Sequence, residues 1–367
     1  MTLFSRTPSL RAMGTLASLC VLLGLTACGG SGGTTEVAPA PDDSETTLSG
    51  ELRVFAYEDS VTPEMMDPFK QQNPDLKVKT ATFDSNSEAA AKLAGGFQAD
   101  VIEVCLDEAE PLLQRKLLRP LDTSGVIDWN EIAFHDSPGI RQGGGAIMVP
   151  LSAGPHGVIY NTDEVDGAEI DSYEDLFDPR FKDRTAIEGD YALPPIAVSA
   201  LAMGIDDPMN MDQDQLDEVG SYMDENRSQF RALWRSDSDL VNLYKSGEVV
   251  ISDGNSGQAK RLQEAGVPVE WVAPSEGTLS WVCGFGISSK AQNLQAAYRL
   301  INWQASAKAQ AIRGSNGYVV TNPEAIPLVP KADRQTADPS SLTDAIPETY
   351  PPLYDQWVRT FETFQAS

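Results

Sequence analysis

Leu52-Arg53-Val54-Phe55-Ala56-Tyr57 is a short apolar run rich in strand formers, and Thr62-Pro63 follows it. Thr is a good N-cap and Pro suits the first helical position, so a helix is expected to open there. Pro68 is expected to bend or shorten it. The pattern then repeats. Lys77 to Phe83 alternates in the strand sense, and Ser85 with Glu88 makes a capping-box signal before an Ala-rich helix that stops at Gly95-Gly96. Asp100 to Cys105 reads as a third strand, followed by a helix through Leu117. Strands separated by helices imply parallel strands and a doubly wound α/β sheet. Ligands of such sheets sit beyond the C-terminal strand ends. Those ends carry Tyr57-Glu58-Asp59, Asp84-Ser85 and Cys105-Leu106-Asp107.

Further along, Ile147–Leu151 and Val158–Tyr160 read as linked strands crossing into a second lobe. That lobe has helical patterns at Ser172–Phe177 and Pro194–Met203, a strand at Thr185–Ile187, and a long acidic helix from about Met211 to Trp234. Val249–Ser252 is a strand, Ser256 caps a helix that Gly266 ends, and Val269–Val272 is another strand. Leu279–Ile287 reads as a return strand and Gln292–Gln304 as an amphipathic helix. Frequent Pro from Pro323 to Pro352 suggests extended chain before a last helix at Leu353–Phe364.

The chain has 367 residues, long enough for two cores. Its 54 acidic and 27 basic side chains give a net charge of −27, which argues against binding nucleic acid. The same excess could draw cations or serve solubility. With two His and four Cys there is little material for a zinc cluster or a Cys/His enzyme, so no metal and no cofactor is expected.

Arg6 and Arg11 precede an apolar run from about Ala12 to Ala27, which ends Leu25-Thr26-Ala27-Cys28. Charged start, apolar middle and small end describe a signal peptide. The end resembles the lipobox of bacterial lipoproteins, which implies lipidation at Cys28. Residues 28–50, rich in Gly, Ser, Thr and Pro, read as a flexible tether. Gly29-Gly30-Ser31-Gly32-Gly33 matches a hydrolase nucleophile pattern, but lacks the strand before it and the helix after it that the chemistry requires.

Several strings, in order, resemble the polyamine-binding branch of bacterial ABC-transporter solute-binding proteins, the spermidine/putrescine-binding family. They are Leu52–Glu58, Ser172–Asp183, Gly247-Glu248-Val249 with Ala265–Val269, Glu276–Trp281, Ala296–Trp303 and Gly317-Tyr318. The resemblance implies a two-lobe periplasmic-binding-protein fold of type II, with a ligand cleft between lobes joined by a hinge. Lobe 1 is expected over 51–153 plus about 283–325, and lobe 2 over 154–282 plus about 340–367. It implies capture of a small cationic solute, closure, and delivery to membrane permease subunits. It also implies a monomer outside the cytoplasm and no catalysis.

By the same resemblance, Tyr57, Trp281 and Tyr318 fall on aromatic positions that line a polyamine's methylenes, and Asp190 falls on a ligand carboxylate. Aromatic faces attract cations, and desolvated ammonium groups need anionic partners. Four positions depart from the family: Leu193 and Cys283 stand where it has acids, Cys105 where it has a serine, and Asn255 near an aromatic. Glu58, Asp59, Asp107 and Asp253 are neighbouring acids that could compensate, although Asp253-Gly254 is also a turn signal. Cys105 and Cys283 both map near the hinge side of the cleft. A disulfide is expected there in an oxidising compartment, with two buried free thiols as the alternative. His135 and His156 read as surface or hinge residues. Another small organic solute, a sensor role, or an enzyme on the same two-lobe fold are the alternatives in function.

Overall fold

The computed structural model describes residues 36–42, 47–83 and 86–367. The signal segment, Cys28, residues 29–35 and 43–46 of the expected tether and the Asp84-Ser85 strand end lie outside the described residues. The described part of that segment is not a flexible tether: Ala38 and Leu48 are buried, Ala38 pairs with Leu121 and accepts from the Tyr298 hydroxyl, and Gly50 belongs to the first strand.

The opening run forms β1 (Gly50–Ala56), parallel to β2 (Leu76–Thr82) and β3 (Val101–Cys105). Between them stand α1 (Pro63–Gln72) and α2 (Asn86–Ala94), and α3 (Ala109–Gln114) follows β3. Thr62 caps α1, its side chain accepting from the Met65 N–H. Pro68 does not shorten α1. It sits in the second turn, where its missing N–H costs one bond to the first turn while Met65, Met66 and Phe69 hold the helix in the core. Every residue of β3 is buried, as a strand covered on both faces must be.

The expected pair of linked strands around the crossing is one continuous strand, β4 (Val149–Asn161), buried at all but its last residue. Gly154 and Pro155 do not break it, because its partner runs alongside through both. β5 (Thr185–Glu188) and α4 (Leu193–Ala202) follow. The acidic helix is shorter than the sequence suggests. α5 spans Gln213–Glu225, and Phe230–Trp234 is a strand, β6, parallel to β5. Phe230 and Trp234 are bulky, buried strand formers, and pairing with β5 outweighs the helical run before them.

α6 (Asp237–Ser246), β7 (Ile251–Asn255), α7 (Ser256–Glu264), β8 (Val269–Val272) and β9 (Leu279–Ser288) come next. Asn255, not Ser256, caps α7, in a reciprocal pair with Gln258. α8 (Leu294–Gln304), α9 (Ala307–Ser315) and α10 (Tyr354–Ala366) complete the helices used below. The Pro-rich stretch is not simply extended. It holds 3-10 turns at Pro323–Leu328 and Pro339–Leu342, and Ile346–Pro347 pairs with β9.

The strand order is β2-β1-β3-β9-β4-β7-β5-β6, with β8 also on β4. Two lobes share this sheet. One apolar core gathers Leu52, Phe55, Ile102, Phe285 and Leu300, and another gathers Tyr173, Ile196, Met223, Trp357 and Phe364. A smaller cluster around Trp234, Tyr244 and Leu262 lies beside the second. β4 and β9 are antiparallel neighbours that run from one lobe into the other. Among the described residues no helix is long and apolar enough to cross a membrane.

Cys105 at the end of β3 faces Cys283 of β9 across the ladder, and the two form a disulfide. The bond spans 178 residues of sequence, so it constrains the unfolded chain strongly. Thiol counting on the unreduced, denatured protein should find Cys105 and Cys283 unreactive. Reduction or Cys283→Ser should lower stability by roughly 2–5 kcal/mol in denaturant titrations. Two free thiols at these positions would overturn the pairing.

Candidate functional site

A cavity of about 380 Å³ opens where the lobes face each other. It is built from strand ends. Tyr57 follows β1, Cys105 and Asp107 end and follow β3, and Glu188, Asp190 and Tyr191 end and follow β5. Trp234 ends β6, Asn255 ends β7, Trp281 and Cys283 lie on β9, and Tyr318 follows α9. The structure therefore brings Tyr57, Glu58, Asp107, Asp190, Asn255, Trp281 and Tyr318 to one wall-lined space, together with both cysteines. Glu58 is exposed, whereas Asp107 is buried.

Local folding fixes these positions. Tyr57 is held because its N–H donates to Glu103 in β3 (2.9 Å), while Ser60 donates to the other oxygen (2.8 Å). Its ring meets Phe83 edge-on at 4.5 Å. Trp281 packs edge-to-face on Tyr318 at 5.7 Å. A Cβ at position 154 would stand 2.6 Å from the indole, so Gly154 in β4 is what admits it. Arg261 of α7 stacks over Tyr318, donates to its hydroxyl, and pairs with Asp59 at 3.4 Å and with Asp237.

Asp253 is not a turn residue. It lies fully buried in β7, where Trp234 Nε1 donates to it at 2.8 Å, the Glu188 N–H at 3.2 Å, and His156 Nε2 lies 3.3 Å away. His156 is accordingly a buried residue of β4, not a surface one. Burial alone would lower its affinity for a proton, but the hydrogen bond and charge of Asp253 outweigh that and raise it. His156, Glu188 and Asp253 offer three donor atoms within 4.8 Å, but the Asp253 oxygens are already taken by these N–H groups.

Sequence reasoning missed Glu103, Glu188 and Glu348. Glu103 was visible as an acid inside a buried apolar strand. Glu348 was hidden in the Pro-rich stretch. Burial pushes the Glu103 carboxyl up to about 7, against the charge of Arg313. Burial, then the charge of Glu348, pushes Asp107 up to about 8. Burial pushes Glu348 to about 7, with His156 opposing. Glu188 is raised well above the carboxylate range by burial and by Asp253. The cleft is thus a desolvated acidic cavity walled by aromatics, fitted to receive positive charge.

A sequence profile described as bacterial extracellular solute-binding protein matches residues 64–339. The chain is 25% identical over 338 residues to spermidine/putrescine-binding periplasmic protein 1 of Haemophilus influenzae, covering 90% of each chain. Among solved structures, the spermidine/putrescine ABC transporter substrate-binding protein PotD of Streptococcus pneumoniae has a TM-score of 0.72 at 22% identity, covering 87% of this chain and 98% of its own. The binding protein MotA of A. tumefaciens B6, solved with glucopine, has a TM-score of 0.71 at 15% identity, covering 86% and 100%. Both are two-lobe relatives in fold.

Carboxyls raised in the folded state bind protons that the unfolded chain has lost, so their contribution is present at low pH and fades as pH rises through about 7 to 8. The melting temperature of the ligand-free protein should fall between pH 5.5 and 8.5. Glu348→Gln should flatten that fall, measured by calorimetric melts, whereas a pH profile unchanged by the substitution would contradict it.

Proposed function

Because this chain belongs to the bacterial extracellular solute-binding protein family, the binding components of ABC transporters, we propose that its solute is a polyamine such as spermidine or putrescine. The observation that carries the reading is a cleft where buried carboxylates and three aromatics, Tyr57, Trp281 and Tyr318, line one cavity. The rings flank the methylenes and Asp190 pairs with an ammonium. Glu58 and Asn255 contribute at the rim. The named polyamine binder among the relatives supports the same class.

Closure is a rotation about β4 and β9, which run between the lobes. The solute must bind the closed form better than the open one, or closure has no cause. Charges on both lobes converging on one ammonium supply that difference. The closed form is what the permease reads. Cys28 anchors the chain by lipid outside the cytoplasm, ahead of a segment that docks on the body where Ala38 pairs with Leu121. Cys28→Ser should move the protein from the membrane fraction to the soluble fraction, and retention in the membrane would refute the anchor.

Titration calorimetry with spermidine and putrescine, at low and physiological salt, tests the solute. Salt matters because a chain of net charge −27 attracts any polyamine loosely. Saturable one-to-one binding should survive physiological salt and weaken about tenfold to a hundredfold in Asp190→Asn. Heat that disappears with salt would defeat the reading. One feature favours a second solute class. Arg235, exposed at the cavity, could hold a carboxylate, so an ω-amino acid belongs in the same titration.

A further inference from the structure

Asp107 and Glu348 differ from the other acids of the cleft. Each lines the cavity, and each has one carboxylate oxygen (Oδ2 of Asp107, Oε1 of Glu348) buried with no hydrogen-bond partner. The residues are 1% and 2% exposed. No other carboxylate among the described residues has such an oxygen. Glu103 and Asp253, equally buried, are satisfied by N–H and O–H donors.

The two acids arrive from different parts of the fold. Asp107 stands in the 3-10 turn Leu106–Glu108, two residues past the disulfide. Glu348 follows Ile346–Pro347, which pairs with the start of β9, and its N–H donates to the Ser280 carbonyl at 2.8 Å. Glu348 raises the proton affinity of Asp107, so the two sense each other's charge. The groups around them are Glu108, Glu188, Asp190, Tyr57, Tyr173, Tyr191 and Tyr354, with His156 acting on Glu348. His156 is the one base in that set, and it is engaged with Asp253.

Two carboxylates in one dry space cannot both ionise without a cation. An ammonium has three N–H donors and one positive charge, which answers both unpartnered oxygens and the repulsion. We propose that Asp107 and Glu348 form an ammonium subsite that holds a proton while the cleft is empty and exchanges it for the solute's ammonium group. The inference rests on the polyamine reading and adds a second anchoring point, distinct from Asp190. One carboxyl O–H bond breaks, the proton passes to the buffer, and the ammonium N–H groups take the freed lone pairs. Net charge in the subsite is the same before and after. The raised proton affinities of both groups, near 8 and 7, agree with protonation in the empty cleft at neutral pH.

The test is titration calorimetry of the purified protein with spermidine and putrescine at pH 7.5, in buffers of different ionisation enthalpy. The slope of heat against that enthalpy counts protons released. About one proton per bound solute is expected at pH 7.5, where groups near 8 and 7 together hold about one, and close to none near pH 9. Affinity should rise about tenfold per pH unit around pH 7.5, where the amines remain charged. Glu348→Gln or Asp107→Asn should reduce the proton count and flatten the pH dependence. Asp190→Asn should weaken binding yet keep the proton release. Saturable binding by the unsubstituted protein with zero slope at pH 7.5 overturns the exchange and leaves the polyamine reading standing. Release that persists in both subsite variants overturns the assignment to these residues. No saturable binding at any pH overturns the solute class and the exchange together.

Discussion

The antiparallel ladder between β4 and β9 is the constraint on which the rest of the molecule hangs. Each strand is long enough to serve both lobes. β9 pairs with β3 through Cys283–Ile287 and with β4 through Leu279–Phe285, while the far half of β4 pairs with β7 and β8. A sheet that continues through the crossing leaves few backbone groups unpaired there, which water would otherwise have to satisfy. It also fixes what faces the cleft. Trp281 and Cys283 stand on β9 and Ser152 and His156 on β4, so part of the wall is made by the strands the two lobes share. Any change in lobe angle must therefore move wall residues relative to the acids on neighbouring loops.

Charge is the second organising fact, and it follows from where the strands end. Parallel strands deliver their C-terminal turns to the same space, and these turns carry acids. Once the lobes cover them, each carboxylate must find donors or stay neutral. Glu103 finds Tyr57 and Ser60. Asp253 finds Trp234 and the Glu188 backbone. These two organise the walls more than they attract a solute. The distinction between structural and ligand-facing acids is thus drawn by donors, not by charge or depth.

The fold was legible because its signals are local. The run at Leu52–Tyr57, the cap at Thr62 and the return strand at Leu279 each declare their element. What failed were places where tertiary pairing overrides local preference. Phe230–Trp234 follows a helix without punctuation and becomes a strand through β5. Gly154-Pro155 looks like a break and is spanned by a partner. The candidate site was legible where it coincides with strand ends, as at Tyr57 and Asp107. Glu348 was not, because nothing in Ile346-Pro347-Glu348 announces that two residues will pair with a strand almost seventy positions earlier.

That pairing bears on the departures from the resembled family. An acid expected shortly after Trp281 is replaced by Cys283, which is committed to the bond with Cys105. A covalent link between β3 and β9 leaves these two wall positions without a group that could pair with an ammonium. The parallel register sets Leu279 beside Ile346 and Ser280 beside Pro347, so Glu348 enters next to Trp281. The resemblance would put an acid on this strand, and β9 carries a half-cystine there instead. Glu348, buried and short of a donor, brings a carboxylate to the same wall from the segment paired with β9, so the wall has an acid although the strand itself supplies none.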